Sequence, residues 1–254
     1  MKRTPKFATE AELCAAFIRW AQEQCGRASR AAPTPAWTAY AETAGWDIIL
    51  VGTDGTQIGI QAKQRFNMKV LQQTIPDGCY GSWRDDGPDY RAILIPERDH
   101  DAAAICGALG ITVFWPAGHT GYGEDMKLLH DFAPRLDFEN CFGGWHYWSP
   151  RKRCELPDFV PDVVAGASGP VQLTKWKVQA LRLVARLEIR GHVTRQDFRI
   201  LGIDARRWLG PQGWLQVDPA RPGEFTRGDG LDFDRQHPTV YAQVLEEARG
   251  EIAL

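Results

Sequence analysis

The chain has 254 residues, enough for two domains or one large one, with 44% hydrophobic and 11% aromatic residues and a net charge of −2. Those are globular values, so they exclude a disordered chain, and the charge does not mark the whole molecule as a polyanion binder. No apolar run approaches a membrane span, and residues 1–6 lead straight into a polar helix, so a soluble cytoplasmic protein with no membrane partner is expected.

Residues 8–25 carry Leu13, Phe17, Trp20 and Ala21 at helical spacing, with Thr9 placed to cap and Glu10 and Glu12 in the first turn. Residues 26–35 are small, basic and Pro-containing, which reads as a loop where Arg27 and Arg30 can meet phosphates. Residues 40–45, with Glu42, lead into a strand, Trp46 to Val51, and a second strand runs from Gln57 to Lys63. In that second strand Ile58, Ile60 and Ala62 alternate with Gln57, Gly59, Gln61 and Lys63, so Gln61 and Lys63 share a face.

The linking turn decides what Asp47 meets. A two-residue Asp54-Gly55 turn pairs Asp47 with Ala62, whereas a three-residue loop, Thr53-Asp54-Gly55 with Gly55 left-handed, pairs it with Gln61. With the longer loop Asp47, Gln61 and Lys63 form one polar cluster. A half-buried hairpin ending in an incidental Lys is the plainer reading of the same residues.

This Asp, hairpin, Gln61-Ala62-Lys63 pattern resembles the PD-(D/E)xK nuclease superfamily, and most of all the Gln-x-Lys form of Mrr-like restriction endonucleases, over roughly Glu10 to Trp115. The resemblance implies an α/β fold with a restriction-endonuclease-like mixed sheet flanked by helices, its core ordered helix, strand, strand, strand, helix, strand. It also implies Mg²⁺ or Mn²⁺ at Asp47, the Gln61 amide oxygen and the Ala62 carbonyl, with Lys63 stabilising charge on the phosphate. Glu42, five residues before Asp47, is the first choice for a further carboxylate. Glu12 is the candidate for the acid that many members place on the first helix.

Residues 64–73 then read as a helix with Met68 and Leu71 inward and Gln64, Arg65, Lys69 and Gln73 along its polar side, Lys69 near phosphates. Residues 78–87 form a loop with Trp83 at its tip. A buried strand at 90–96, a helix at 99–109 stopped by Gly110, and a strand at 111–115 closed by Pro116 follow. Residues 117–150, rich in Gly, His and aromatics, read as an irregular element, a lid over the cleft or a plug. The six cysteines contain no CxxC pair and suit a reducing compartment; Cys141, His146 and Cys154 have no zinc-finger spacing.

A nuclease-like domain over 1–150, a Pro/Gly linker over 151–171 and a second domain over 172–254 are therefore expected. In the second, a helix at 173–190 carries a stripe of Trp176, Ala180, Leu183, Val184 and Leu187. Thr194 caps a helix at 195–201, Asp204 caps 205–209, and 214–217 pairs with 224–227. Three helices and a two-stranded wing resemble a winged helix-turn-helix, a smaller α+β domain. Between 172 and 209 nine Lys/Arg face three acids, a surplus of six. Arg206, Arg207, Arg199, Arg195, Lys175 and Lys177 are its candidates for double-stranded DNA, although winged helices also bind proteins. The last helix, 238–249, packs or makes a homodimer. The function expected is a metal-dependent DNA endonuclease; the alternative is an inactive nuclease-fold regulator that binds DNA or protein in phage or defence systems.

Overall fold

The computed structural model describes residues 7–23, 37–75, 86–117, 131–136, 145–166, 172–209 and 213–252. The chain divides into two units: residues 1–156 with 164–170, and residues 157–163 with 171–254. The stretch read as a linker is thus shared, its middle belonging to the second unit and its ends to the first.

In the first unit, helix α1 (Glu10–Glu23) starts where Thr9 Oγ1 accepts the Glu12 N–H, and it buries Leu13, Cys14, Phe17, Trp20 and Ala21. Strand β1 (Trp37–Thr43) was not foreseen: only its tail was read, as a lead-in. It is joined to β2 (Trp46–Gly52) by Ala44 and Gly45, both at positive φ (51° and 84°), the backbone of a tight hairpin turn. Strand β3 (Gln57–Ala62) follows, then α2 (Met68–Thr74), β4 (Tyr90–Leu94), α3 (His100–Ala108), β5 (Thr112–Ala117) and β6 (Asp131–Ala133). The six strands form one mixed sheet in sequence order. Pairs β1–β2, β2–β3 and β5–β6 are antiparallel; β3–β4 and β4–β5 are parallel.

Parallel strands need a crossover, which explains why helices stand between β3 and β4 and between β4 and β5. It also bears on the half-buried hairpin offered above as the plainer alternative. Strand β3 lies between β2 and β4, packs against both α1 and α2, and is buried at every position. Ile48, Ile49, Leu50, Ile58 and Ile60 are fully enclosed, each worth about 1.5–3 kcal/mol of transfer free energy. Phe17 and Trp20 of α1 meet Phe114 and Phe132 of the far strands at centroid distances of 4.8–6.1 Å.

Three boundaries differ from expectation. Helix α2 begins at Met68 because Asn67 accepts the Val70 N–H as its cap, and Lys63 N–H prolongs the parallel ladder to the Leu94 carbonyl. Residues 64–67 are therefore not helical, and Met68 is 70% exposed instead of inward; Leu71 is inward as expected. Strand β5 continues through Pro116, which lies opposite Phe132 of β6. Residues 145–150 lie against the first unit, with Trp148 N–H donating to the Asp89 carbonyl and its ring N–H to the Gly110 carbonyl.

The second unit runs α4 (Lys175–Arg190), β7 (Val193–Thr194), α5 (Arg195–Leu201), α6 (Arg206–Leu209), β8 (Leu215–Val217), β9 (Glu224–Arg227), α7 (Phe233–Gln236) and α8 (Pro238–Ile252). Its sheet has the order β7–β9–β8. Thr174 caps α4, and Gly191 ends it at φ 75°. Thr194 and Asp197 form a capping box on α5, whose end is the left-handed Gly202. Trp208 is fully buried among Trp176, Phe198, Trp214 and Phe233, with centroids 5.2–6.4 Å away, so three of the ten tryptophans build this core. Helix α8 packs on α4. No helix among the described residues is long and apolar enough to cross a membrane.

Candidate active site

The hairpin between β2 and β3 has the longer loop. Gly52 donates to the Thr56 carbonyl and Gly55, at φ 81°, donates to the Gly52 carbonyl, leaving Thr53-Asp54-Gly55 as the connection. Asp54 closes it by accepting the Thr56 N–H (2.9 Å) and hydroxyl (2.7 Å). The register then pairs Val51 with Gln57 and Ile48 with Ile60. One step further along the same ladder sets Asp47 opposite Gln61.

At that end of the sheet β1 finishes, β2 begins, β3 finishes and α1 starts. Asp47 Oδ2 accepts the Ala62 N–H at 2.7 Å. The buried Gln61 side chain donates from Nε2 to the Gly45 carbonyl at 2.7 Å, which ties β3 to the β1–β2 turn. Lys63 Nζ lies 2.8 Å from Glu10 Oε2, the two side chains 23% and 28% exposed, and Glu10 Oε1 takes the Gln64 N–H. Glu42, with its backbone at φ 48°, accepts the Gly166 N–H at 2.8 Å.

Glu10 was not among the expected site residues, and Glu12 was. The reason is the helix cap. With Thr9 before the first turn, Glu12 occupies the third helical position, where its carboxylate reaches back to the Ala8 N–H at 2.8 Å. Thr9-x-x-Glu12 is the sequence signal that assigns Glu12 to the cap and frees Glu10.

The cluster is electrostatically coupled. Burial raises the Asp47 carboxyl above its ordinary range; the Ala62 N–H and Lys63 oppose the rise and Glu10 adds to it. Burial likewise raises Glu42, against the Gly166 N–H, with Asp47 pushing further up. Burial would lower Lys63, yet the Glu10 hydrogen bond and the Asp47 charge outweigh it, so its ammonium is held above the usual range. Burial and the three carboxylates push the enclosed Cys14 thiol far up, so it is no nucleophile.

Three acids around one Lys leave a surplus of negative charge in a half-buried place, which a divalent cation relieves. Among the described residues no three His, Cys, Asp or Glu side chains are grouped tightly enough to hold a metal ion. By donor type alone, the oxygens present are of the kind that Mg²⁺ or Mn²⁺ takes. Asp47 and Glu42 each use one carboxylate oxygen on a backbone N–H and keep the other, and Gln61 offers an amide oxygen. A hard cation takes such oxygens while keeping several waters. Past the ends of parallel β3 and β4 lies a cleft of about 840 Å³ lined by Gln64, Arg65, Phe66 and residues 95–101, with none of Glu10, Glu42, Asp47, Gln61 or Lys63 in its lining. Ligands of open α/β sheets bind at such strand ends.

The nucleic-acid candidates are scattered. Lys69 is exposed on α2, while Arg27, Arg30, Trp83 and Cys141 lie outside the described residues. In the second unit Arg195 and Arg199 of α5, Arg206 and Arg207 of α6 and Lys175 are exposed. Lys177 is half-buried, and burial lowers its ammonium below the usual range. Arg186 and Arg190 of the basic segment are committed to the buried Asp197, at 3.4 and 3.0 Å. Helix α6 is a single turn, and Arg207 leans over the Trp214 ring at 5.9 Å. Comparison with family models, with curated proteins and with solved structures found no match.

Proposed function

We propose that the chain is a metal-dependent DNA endonuclease with its catalytic centre at Asp47, Gln61 and Lys63, and that its second unit binds duplex DNA. The observation that carries the reading is the register. A three-residue loop sets a β2 carboxylate opposite a β3 amide, with a Lys two residues on and an acid from the first helix against that Lys. The order α1, β1, β2, β3, α2, β4 supports it, being the helix, strand, strand, strand, helix, strand sequence of the nuclease core. For the second unit the order α4, β7, α5, α6, β8, β9 supports a winged helix-turn-helix with β8 and β9 as the wing.

Mg²⁺ or Mn²⁺, held by Asp47, the Gln61 and Ala62 oxygens and Glu42, would lower the pKa of a bound water and neutralise charge on the scissile phosphate. Lys63 keeps its proton, so it acts as a fixed positive charge beside the phosphate as negative charge develops there, and not as a base. Glu10 holds Nζ in place and is a positioning residue. Asp47 stays fixed on the β3 backbone through the Ala62 N–H, so the carboxylate and Lys63 move as one piece.

Incubating the full chain with supercoiled plasmid and Mg²⁺ or Mn²⁺ should give nicked and linear products that EDTA abolishes. Lys63→Ala should lower the cleavage rate by about 10²–10³, the cost of one lost transition-state contact, with DNA affinity retained. Cleavage that persists in EDTA, or at wild-type rate in Lys63→Ala, overturns the reading. A second reading is an inactive nuclease-fold regulator. The amide at position 61 favours it, since it removes a charge where a carboxylate would strengthen cation binding. DNA or protein binding with no cleavage under either metal would establish that reading.

A further inference from the structure

We propose that a second pocket of the first unit, built around Arg91, is an oxyanion site that takes a phosphate group. Arg91 lies on β4 alongside Gly59 of β3 and is 6% exposed. Its Nη1 donates to the Thr74 carbonyl at 2.9 Å, but its Nε is sealed and bonded to nothing. No carboxylate among the described residues pairs with it. The neighbouring Asp89 is already taken by the Gln57 N–H and by Arg153. Burial pulls the guanidinium below its usual range, as expected for a charge removed from water without a counter-ion.

The surroundings are shaped to keep that cation where it is. Trp148 and Trp46 flank it at 4.7 and 5.8 Å. The Trp46 ring has its place because residue 59 is Gly: a Cβ there would lie 2.6 Å from the ring. A Cβ on Gly87, at φ 155°, would come within 2.7 Å of Arg91 Nη2. Two glycines and two tryptophans therefore preserve a guanidinium whose Nε and Nη2 have no acceptor among the described residues, and a guanidinium is the side chain best suited to a planar or tetrahedral oxyanion. The Arg91 side chain lines a cavity of about 330 Å³ together with Lys152 and Arg153 and with the carboxylates Asp86 and Glu155. A buried guanidinium with the exposed Lys152 ammonium in the same lining suits the charge of a phosphate. A bound oxyanion would give this buried guanidinium the counter-charge that no carboxylate among the described residues supplies.

The test uses the full chain without divalent metal, titrated calorimetrically with inorganic phosphate and followed by thermal unfolding. Phosphate should bind saturably and raise the unfolding temperature. Arg91→Met should abolish both effects. Because Arg91 is buried, Lys152→Glu at the exposed rim serves as the second variant, with an unchanged unfolding transition and affinity lowered about ten-fold. Lys63→Ala should retain phosphate binding, which separates this pocket from the candidate catalytic centre and its fate. Competition by a 5′-phosphorylated oligonucleotide but not its 5′-hydroxyl counterpart assigns the phosphate to a nucleic-acid end; competition by a mononucleotide alone assigns it to a free nucleotide, and either supports the site. Absence of saturable binding, affinity unmoved by Lys152→Glu, or loss in Lys63→Ala instead of Arg91→Met overturns it.

Discussion

Glu10 and Glu12 are two residues apart and have unrelated duties, which makes them a discriminating pair. Glu10→Gln weakens the hold on Lys63 and removes a charge that keeps its proton on, so the alkaline limit of plasmid cleavage should move to lower pH. Glu12→Gln should leave that profile alone and cost no more than about 0.3–1 kcal/mol, because the Gln oxygen still accepts the Ala8 N–H and only the charge at the helix N-terminus is lost. An unmoved alkaline limit in Glu10→Gln sinks the positioning role. Asp47 offers a second test at this scale. Its folded pKa is raised above the ordinary 3.8, so the folded chain binds the proton more tightly than the unfolded one. Stability therefore falls as pH rises from about 3.8 through the folded value, and the full penalty is present at neutral pH. Asp47→Asn keeps an oxygen for the Ala62 N–H and loses the penalty. Denaturant titrations should find it more stable than wild type at pH 7 and no more stable at pH 3, while Mg²⁺ should stabilise only the wild type. Asp47 and Lys63 were legible because a strand's period of two assigns faces without tertiary knowledge. Glu10 was legible only through Thr9-x-x-Glu12, a local capping signal that competes with the reading of both acids as dipole partners.

At the scale of elements, the site depends on one connection. Gly55 is the left-handed residue that lets three residues bridge β2 and β3, and so sets Ile48 against Ile60, a register that continued by one step places Asp47 opposite Gln61. Gly55→Ala should cost roughly 1–2 kcal/mol from the positive φ alone, and its Cβ would meet Arg153 Nη1 at 3.2 Å. Urea unfolding reads that loss; a neutral change would mean the loop adopts another geometry and the register argument fails. Asp54-Gly55 marks a turn in the sequence, but its length is fixed by the strands it joins. Strand β1 escaped notice because Thr38, Ala39, Tyr40 and Ala41 alternate without large aliphatics, and the Ala44-Gly45 turn lacks the Asn or Asp that usually announces one. The full burial of β3 was illegible for a different reason: only its parallel partner β4, more than 25 residues on, covers the edge that a hairpin leaves open.

At the scale of the molecule, a surplus of six positive charges over residues 172–209 shrinks once partners are assigned. Arg186 and Arg190 serve Asp197, whose carboxyl lies below its usual range because the Thr194 cap and both guanidinium groups outweigh the burial that opposes its charge. Arg182 meets Asp158 and Glu247. The exposed remainder is Lys175 on α4 with Arg195, Arg199, Arg206 and Arg207 on α5 and α6, of which Arg206 lies 3.9 Å from Asp204. Helix α6 is four residues, about 6 Å long, and its buried Trp208 anchors it to the core. So short a helix has little length with which to follow a major groove, so phosphate contacts are the expected mode in place of base reading. In the full chain, replacing Arg206 and Arg207 together with Ala should weaken binding to duplex DNA by a similar factor for unrelated sequences. The slope of log affinity against log salt should become shallower by about 0.9 for each phosphate contact removed. Replacing Arg186 and Arg190 should instead lower the unfolding temperature, because the buried Asp197 would be left without counter-charges. Fluorescence anisotropy over a salt series, with thermal melts of each variant, separates the two outcomes. A double Arg206/Arg207 variant that loses affinity for one sequence and keeps it for others would show that α6 reads bases after all. An unchanged salt slope would take DNA off this surface and leave the second unit as a protein-binding module.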